Sequence, residues 1–425
     1  MTSVNQLEHI LFAILIQLIV MIGTARLMYV VFRRLDQPGV IGEIVAGLML
    51  GPSLLGHFFP NLSHALFAPE AAMTISILSQ IGLVLLMFQI GADFEFGHLQ
   101  HAQNRRTTLA VALGSIGVPF VLGYLVGRAS ASTLAPGVDS LTYSLFMGVA
   151  VAITAVPVMG RILREFGLTE TETGVIAISA AAINDVVGWL LLAGVSAFAA
   201  GHFTVGGSAM QVGGLVVLMA VLWFVGSPLV DWVMARMPVR DGELPPNLIA
   251  LILCLMFLMA MWTYSLGIFS IFGGFVTGLL VHRHKAFVAA WRRQIGQFVL
   301  VFFLPIFFAS TGLKTNVLGL SSATAVEWLG VILAVSILGK IVPAYVAARI
   351  MSVGHHGASL LGTLMNTRGL MELIVLNIGF SMGYIPQSVF TMLVLMAVVT
   401  TVMTGPLLKI LLPKLGISID NRVEA

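Results

Sequence analysis

Asp185 stands near the middle of Ile176-Ala177-Ile178-Ser179-Ala180-Ala181-Ala182-Ile183-Asn184-Asp185-Val186-Val187-Gly188-Trp189, about 14 residues into an apolar run. A charge at mid-membrane costs ~2.5–3.5 kcal/mol on insertion scales, so a side chain kept there serves a function or has a partner. A lone carboxylate binds a proton or a small hard cation but not both at once, and that competition alone couples two fluxes. The small residues before it let another helix approach closely. The alternative is permanent pairing with a basic residue. Lys340, in Leu338-Gly339-Lys340-Ile341-Val342-Pro343, is also near mid-span. It can pair with a carboxylate, carry a proton itself, or stand in for a coupling ion. Arg368 and Glu372 lie four apart on one helical face, which suits a pair that stabilises an interruption without binding substrate. Thr154-Ala155-Val156-Pro157 puts a proline inside another apolar run. Pro157 either breaks the helix and exposes carbonyls to a cation, or merely kinks it. Gly369, in Asn366-Thr367-Arg368-Gly369, marks a matching break. The remaining in-span charges are Glu43, which needs a partner, and Arg26, Asp93 and Asp231, which lie near segment ends and can snorkel.

The elements that must hold these residues follow from composition. The 425 residues are 58% hydrophobic and 9% charged, against ~25% charged in soluble proteins, with a mean hydropathy of +1.02. Such a chain cannot present a soluble surface, which excludes a soluble enzyme. Thirteen apolar segments predict an all-α polytopic membrane protein: 9–32, 39–55, 71–92, 107–128, 142–164, 171–200, 208–235, 247–265, 267–282, 295–313, 327–350, 358–383 and 386–412. Of 21 Lys and Arg residues, 16 follow odd-numbered segments and two follow even-numbered ones. This asymmetry predicts an N-terminus outside and a C-terminus in the cytoplasm. It also accounts for the net charge of +3 without a nucleic-acid partner. Gly42-Glu43-Ile44-Val45-Ala46-Gly47-Leu48 matches Gly273-Gly274-Phe275-Val276-Thr277-Gly278-Leu279, and the following segments end at Gly91/Asp93 and Gly312/Lys314. Seven segments separate the copies, so the second enters the membrane from the other side, as in inverted-repeat transporters.

Other features carry less. Cys254, the single cysteine, lies in an apolar run and reads as a buried, inert thiol. His98, His101, His282, His284, His355 and His356 read as solvated loop residues, although clustered histidines can bind zinc or sense pH. No nucleophile elbow, phosphate loop or zinc-hydrolase spacing occurs, so neither an enzyme nor a cofactor is expected, and no metal beyond a transported cation.

These segments resemble the monovalent cation:proton antiporter superfamily, with the sodium/hydrogen exchanger transmembrane fold of the NhaA and NapA type. They are most similar to the branch of the Kef-type potassium systems and plant cation/H⁺ exchangers. The resemblance rests on Gly42-Glu43-Ile44-Val45-Ala46-Gly47-Leu48-Met49-Leu50-Gly51-Pro52-Ser53, Thr154–Leu163, Asn184–Trp189, Gly339-Lys340 and Asn366–Gly379, the last being the most specific. It implies a homodimer with an elevator-type core at about 107–200 and 327–412 and a dimerisation scaffold at about 9–92 and 208–313. It further implies that Asp185 carries ion and proton beside two unwound, crossing helices. Asn184 precedes it and Thr154 lies at the crossover. Lys340 is the core lysine, and Arg368 and Glu372 balance helix ends. Electrogenic relatives carry two adjacent aspartates; Asn184 in the first place implies electroneutral exchange of one proton per Na⁺ or K⁺, a count that a proton on Lys340 would change. The nucleotide-binding domain of the Kef systems is not expected here, and a bacterial inner membrane is the expected location. A cation channel and a Na⁺-coupled organic anion carrier stay open as alternatives.

Overall fold

The computed structural model describes residues 3–35, 37–67, 69–93, 102–169, 171–199, 213–214, 217–218, 220–266 and 269–415. These residues are helical, with no β-strand among them and one isolated bridge between Arg240 and Glu243. The principal helices are α1 (Ser3–Arg34), α2 (Gly39–Leu50), α3 (Pro69–Ala92), α4 (Ala102–Leu134), α5 (Ser140–Ala152), α6 (Val156–Glu165), α7 (Glu172–Ala199), α8 (Ser227–Arg236), α9 (Pro246–Ser265), α10 (Ser270–Val281), α11 (Leu304–Leu313), α12 (Ala323–Ile350), α13 (His355–Met365), α14 (Leu370–Ser381) and α15 (Gln387–Leu411). Among the described residues nine helices are long and apolar enough to cross a membrane, and two shorter ones, α5 and α10, are also apolar. The expected segment at 208–235 falls partly outside the described residues, as do His98 and His101.

Two apolar segments that read as continuous are interrupted. Residues 142–164 form α5 and α6 with a non-helical stretch at 153–155 that begins with an extended Ile153, and 358–383 form α13 and α14 with a break at 366–369. Asp139 starts α5, its carboxylate accepting the Thr142 N–H at 2.8 Å. That bond holds the Asp139 carboxyl below the usual carboxylate range.

Two compact units divide the chain. One comprises Met1–Gly23, Asn61–Glu95 and Ser196–Ser310; the other comprises Thr24–Pro60, Phe96–Val195 and Thr311–Ala425 and contains every candidate site residue. Within each unit the matched glycines of the sequence meet. In the first, a Cβ on Gly278 of α10 would collide with the backbone of Phe88 and Gly91 in α3. In the second, a Cβ on Gly312 of α11 would collide with the Gly47 backbone in α2. Gly47 corresponds to Gly278 and Gly91 to Gly312, so one crossing is made twice with the partners exchanged. α2 and α10 are each 12 residues long, with the matched Gly42 and Gly273 at the fourth position of each.

Glycine at these crossings is set by backbone proximity. Gly312→Ala and Gly278→Ala each lower the melting temperature in detergent, the overpacking amounting to ~1–3 kcal/mol. Gly194→Ala and Gly330→Ala, where an added Cβ meets nothing within 4 Å, do not lower it.

Cys254 corrects an expectation. It is exposed on α9, because the run that holds it has both a packed and an outward face, and composition alone does not say which face a residue takes.

Candidate functional site

The break between α5 and α6 redirects backbone hydrogen bonds that a continuous helix would make internally, and their new partners define the site. In an unbroken helix the Val156 N–H would donate to the Ala152 carbonyl. Here the Val156 N–H instead bonds to the Asp185 carboxylate, and the Ala152 carbonyl accepts from Lys340 Nζ. The Ala155 N–H, which would have served Val151, donates to Thr367 O at 3.2 Å. The carbonyls of Ala150, Val151 and Ile153 accept from the Arg368 guanidinium at 3.0, 2.6 and 3.4 Å. Buried carbonyls at a helix end need such partners. Pro157 occupies the first turn of α6, where a missing N–H is tolerated. The break lies just before it, at 153–155.

Lys340 and Asp185 approach this break from opposite elements, α12 and α7. Lys340 is fully buried, and its three donors go to Ala152 O, to Ser115 O at 2.7 Å and to Thr154 Oγ1 at 2.7 Å. An ion pair with Asp185 within 4.0 Å is not among those of the described residues, so the pairing the sequence left open is not the arrangement here. Asp185 is 4% exposed, and its Oδ1 has no hydrogen-bond partner among the described residues. A buried acceptor lacking a protein partner, beside the positive end of α6, is suited to take a proton or a cation. Asn184 is fully buried. Oriented to satisfy its amide, it donates to Ala112 O and Ala180 O at 3.2 and 3.1 Å and accepts from Ser115 Oγ at 2.9 Å. It therefore ties α7 to α4.

The second break meets the first. Thr154 Oγ1 lies 3.4 Å from Met365 O at the end of α13. Gly369 has φ +148°, and a Cβ there would stand 2.8 Å from Val158 Cγ2, so both its backbone and its packing demand glycine. Arg368 and Glu372 are fully buried, with Nη1 3.4 Å from Oε1. Glu372 falls in the first turn of α14, where a helix favours negative charge, and Arg368 caps the last carbonyls of α5, where it favours positive charge. Sequence reasoning missed Ser115 and Thr401. The Thr401 hydroxyl on α15 accepts the Arg368 N–H at 3.2 Å and donates to the Arg368 carbonyl at 2.8 Å, pinning the second break. A run of threonines at 400, 401 and 404, each fully or nearly fully buried, is the available signal.

The charges expected at segment ends have partners. Arg26 lies 3.6 Å from Glu43, Arg292 2.6 Å from Asp93, and His284 2.9 Å from Asp231. The Tyr345 hydroxyl is 2.8 Å from His355 Nδ1. No group of three or more His, Cys, Asp or Glu suited to a metal occurs among the described residues.

A polytopic helical chain whose buried charges gather where two interrupted helices meet has the build of a secondary transporter. This chain belongs to the family described as the sodium/hydrogen exchanger, transmembrane, whose model matches residues 19–414. It is thereby a member of the monovalent cation:proton antiporter superfamily. It is 36% identical over 399 residues to "Na(+)/H(+) antiporter NhaS4" of Synechocystis sp., covering 93% of this chain and 96% of that protein. It is 36% identical to "Cation/H(+) antiporter 17" of Arabidopsis thaliana and 29% identical to "K(+)/H(+) antiporter 1" of Saccharomyces cerevisiae, but spans only 49% and 46% of their lengths. The solved sodium proton antiporter MjNhaP1 of Methanocaldococcus jannaschii shares the fold, with a TM-score of 0.68 at 12% identity over 96% of this chain and 99% of that one.

Proposed function

We propose that this protein is a secondary active monovalent cation/H⁺ antiporter in which Asp185 alternately binds a proton and Na⁺ or K⁺. The observation that carries this reading is the Asp185 carboxylate, buried beside the crossing breaks with one oxygen open and with Lys340 satisfied elsewhere. Relatives named for Na⁺/H⁺ and K⁺/H⁺ exchange support it and leave the ion between them. Thr154 and Asn184 support the carboxylate, Lys340, Arg368 and Glu372 hold the broken helix ends, and Pro157 and Gly369 keep the breaks.

Thirteen spans with inverted repeats are the topology we assign, supported by the reciprocal glycine crossings; the N-terminus is outside and the C-terminus is in the cytoplasm, in a bacterial inner membrane. The protein works as a homodimer by elevator motion of a core at about 107–200 and 327–412 against a scaffold at about 9–92 and 208–313. Because Asn184 replaces the first of two carboxylates and spends its amide on helix packing, exchange is one proton per cation.

In proteoliposomes with an imposed pH gradient, adding Na⁺, K⁺ or Li⁺ changes luminal pH for at least one of them. A luminal pH indifferent to all three rules out antiport. For stoichiometry, a membrane potential set with valinomycin leaves the Na⁺ exchange equilibrium unmoved. A shift of that equilibrium with voltage overturns electroneutrality while leaving antiport standing.

A further inference from the structure

Helix α4 carries a proline in its interior, Pro119. A proline has no N–H, so the carbonyl four residues before it, that of Ser115, loses its intrahelical donor. That carbonyl accepts from Lys340 Nζ at 2.7 Å. The lysine reaches it because α12 packs against α4 at this point. Gly339, next to Lys340, sits over the proline, where an added Cβ would stand 3.7 Å from Pro119 Cα and 3.1 Å from Leu122 Cδ1. In the reverse sense, an added Cβ on Gly114 would stand 3.3 Å from the Pro343 carbonyl. Each helix thus offers a glycine to the other's proline, and Lys340 lies inside that contact. The first break repeats the device: Pro157 has no N–H for the Ile153 carbonyl, and Arg368 takes it.

From this geometry we infer that Pro119 is a positioning residue for the exchange: by freeing the Ser115 carbonyl it holds the Lys340 ammonium on α4, and so leaves the Asp185 carboxylate open to the cation and the proton. The inference rests on the antiport reading of Asp185. Any other residue at 119 supplies an N–H that competes with Lys340 for Ser115 O and weakens that carbonyl's hold on the ammonium. A buried ammonium held less firmly turns to the nearest available anion. The charges around it are Asp185 on α7 and, from the second break, Arg368 and Glu372. Arg368 repels it, and Glu372 is already bridged to Arg368 at 3.4 Å. Asp185, with Oδ1 open, is the group it meets. The cation must then displace a lysine that in the native protein is tied down elsewhere.

The test compares Pro119→Ala and Pro119→Gly with the native protein in proteoliposomes, reading cation KM, kcat and the pH profile. KM rises about tenfold with a smaller change in kcat, and the pH profile is displaced from that of the native protein. Pro406→Ala, which restores an N–H inside α15 instead, leaves KM and profile unchanged. A Pro119 variant with native KM and pH profile overturns the inference. A structure of Pro119→Ala decides it independently of transport. Lys340 Nζ is expected within 4 Å of Asp185, and an Nζ still bonded to Ser115 O overturns the inference even where transport is altered. Native protein that moves no protons on cation addition fails the antiport reading instead, and the structural readout separates the two failures.

Discussion

Asp185→Asn abolishes cation-dependent proton movement, reducing it below about one-hundredth of the native rate, because a charged ligand worth ~3 kcal/mol is removed and nothing else at the crossing replaces it. The loss is not one of folding. The native carboxylate is buried with Oδ1 unpartnered among the described residues, and a neutral amide relieves the burial of that charge. The melting temperature of the variant in detergent is therefore equal to or above that of the native protein, while proteoliposomes show no luminal pH change on adding Na⁺ or K⁺. Retained transport would remove Asp185 from the carrier role. A large fall in melting temperature would instead make the carboxylate part of the scaffold. Reading rate and stability on one preparation distinguishes these outcomes, since a carrier and a structural carboxylate move them in opposite combinations.

The residues that bear the site's charge could be read from the sequence because charge in an apolar run is conspicuous. Asp185, Lys340, Arg368 and Glu372 stand out against a chain with few charged residues, and all four are buried in one unit. The i, i+4 spacing of Arg368 and Glu372 also announced their contact, which is made although Arg368 lies in the break before α14 and not on a shared helical face. Their partners in other helices could not be read. Lys340 binds two main-chain carbonyls and a threonine hydroxyl, and main-chain acceptors leave no mark in residue type. Carboxylate pairing was one of three roles left open for Lys340; the acceptors it takes instead lie on helices far from it in sequence. Arg26 was legible as a segment-end charge, but the Glu43 it meets is on the neighbouring α2. The apolar segments were legible as lengths. Their interruptions were located only roughly, because Pro157 permits a break before it without specifying that the non-helical stretch runs over 153–155.

Arg368→Met carries the largest expected effect on stability. The native guanidinium does two jobs at once, bridging Glu372 and donating to the carbonyls of Ala150, Val151 and Ile153. Methionine fills similar space, so the effect isolates charge and hydrogen bonding. It leaves a fully buried carboxylate without its cation and three carbonyls without that donor, a combination that costs ~3–5 kcal/mol for the charge alone. A fall of at least ~5 °C in melting temperature in detergent is expected, on the scale by which ~1 kcal/mol moves a large domain by ~2–4 °C. The double variant Arg368→Met/Glu372→Gln recovers part of that loss, because the orphaned charge has been neutralised while the carbonyls still lack their donor. The unrecovered part measures what capping the end of α5 contributes, and with it how strongly the two breaks are bound to each other. Full recovery would assign the arginine to its ion pair alone, and no recovery would assign it to the carbonyls alone. Partial recovery makes Arg368 the link through which the charge at the start of α14 and the open end of α5 are balanced together.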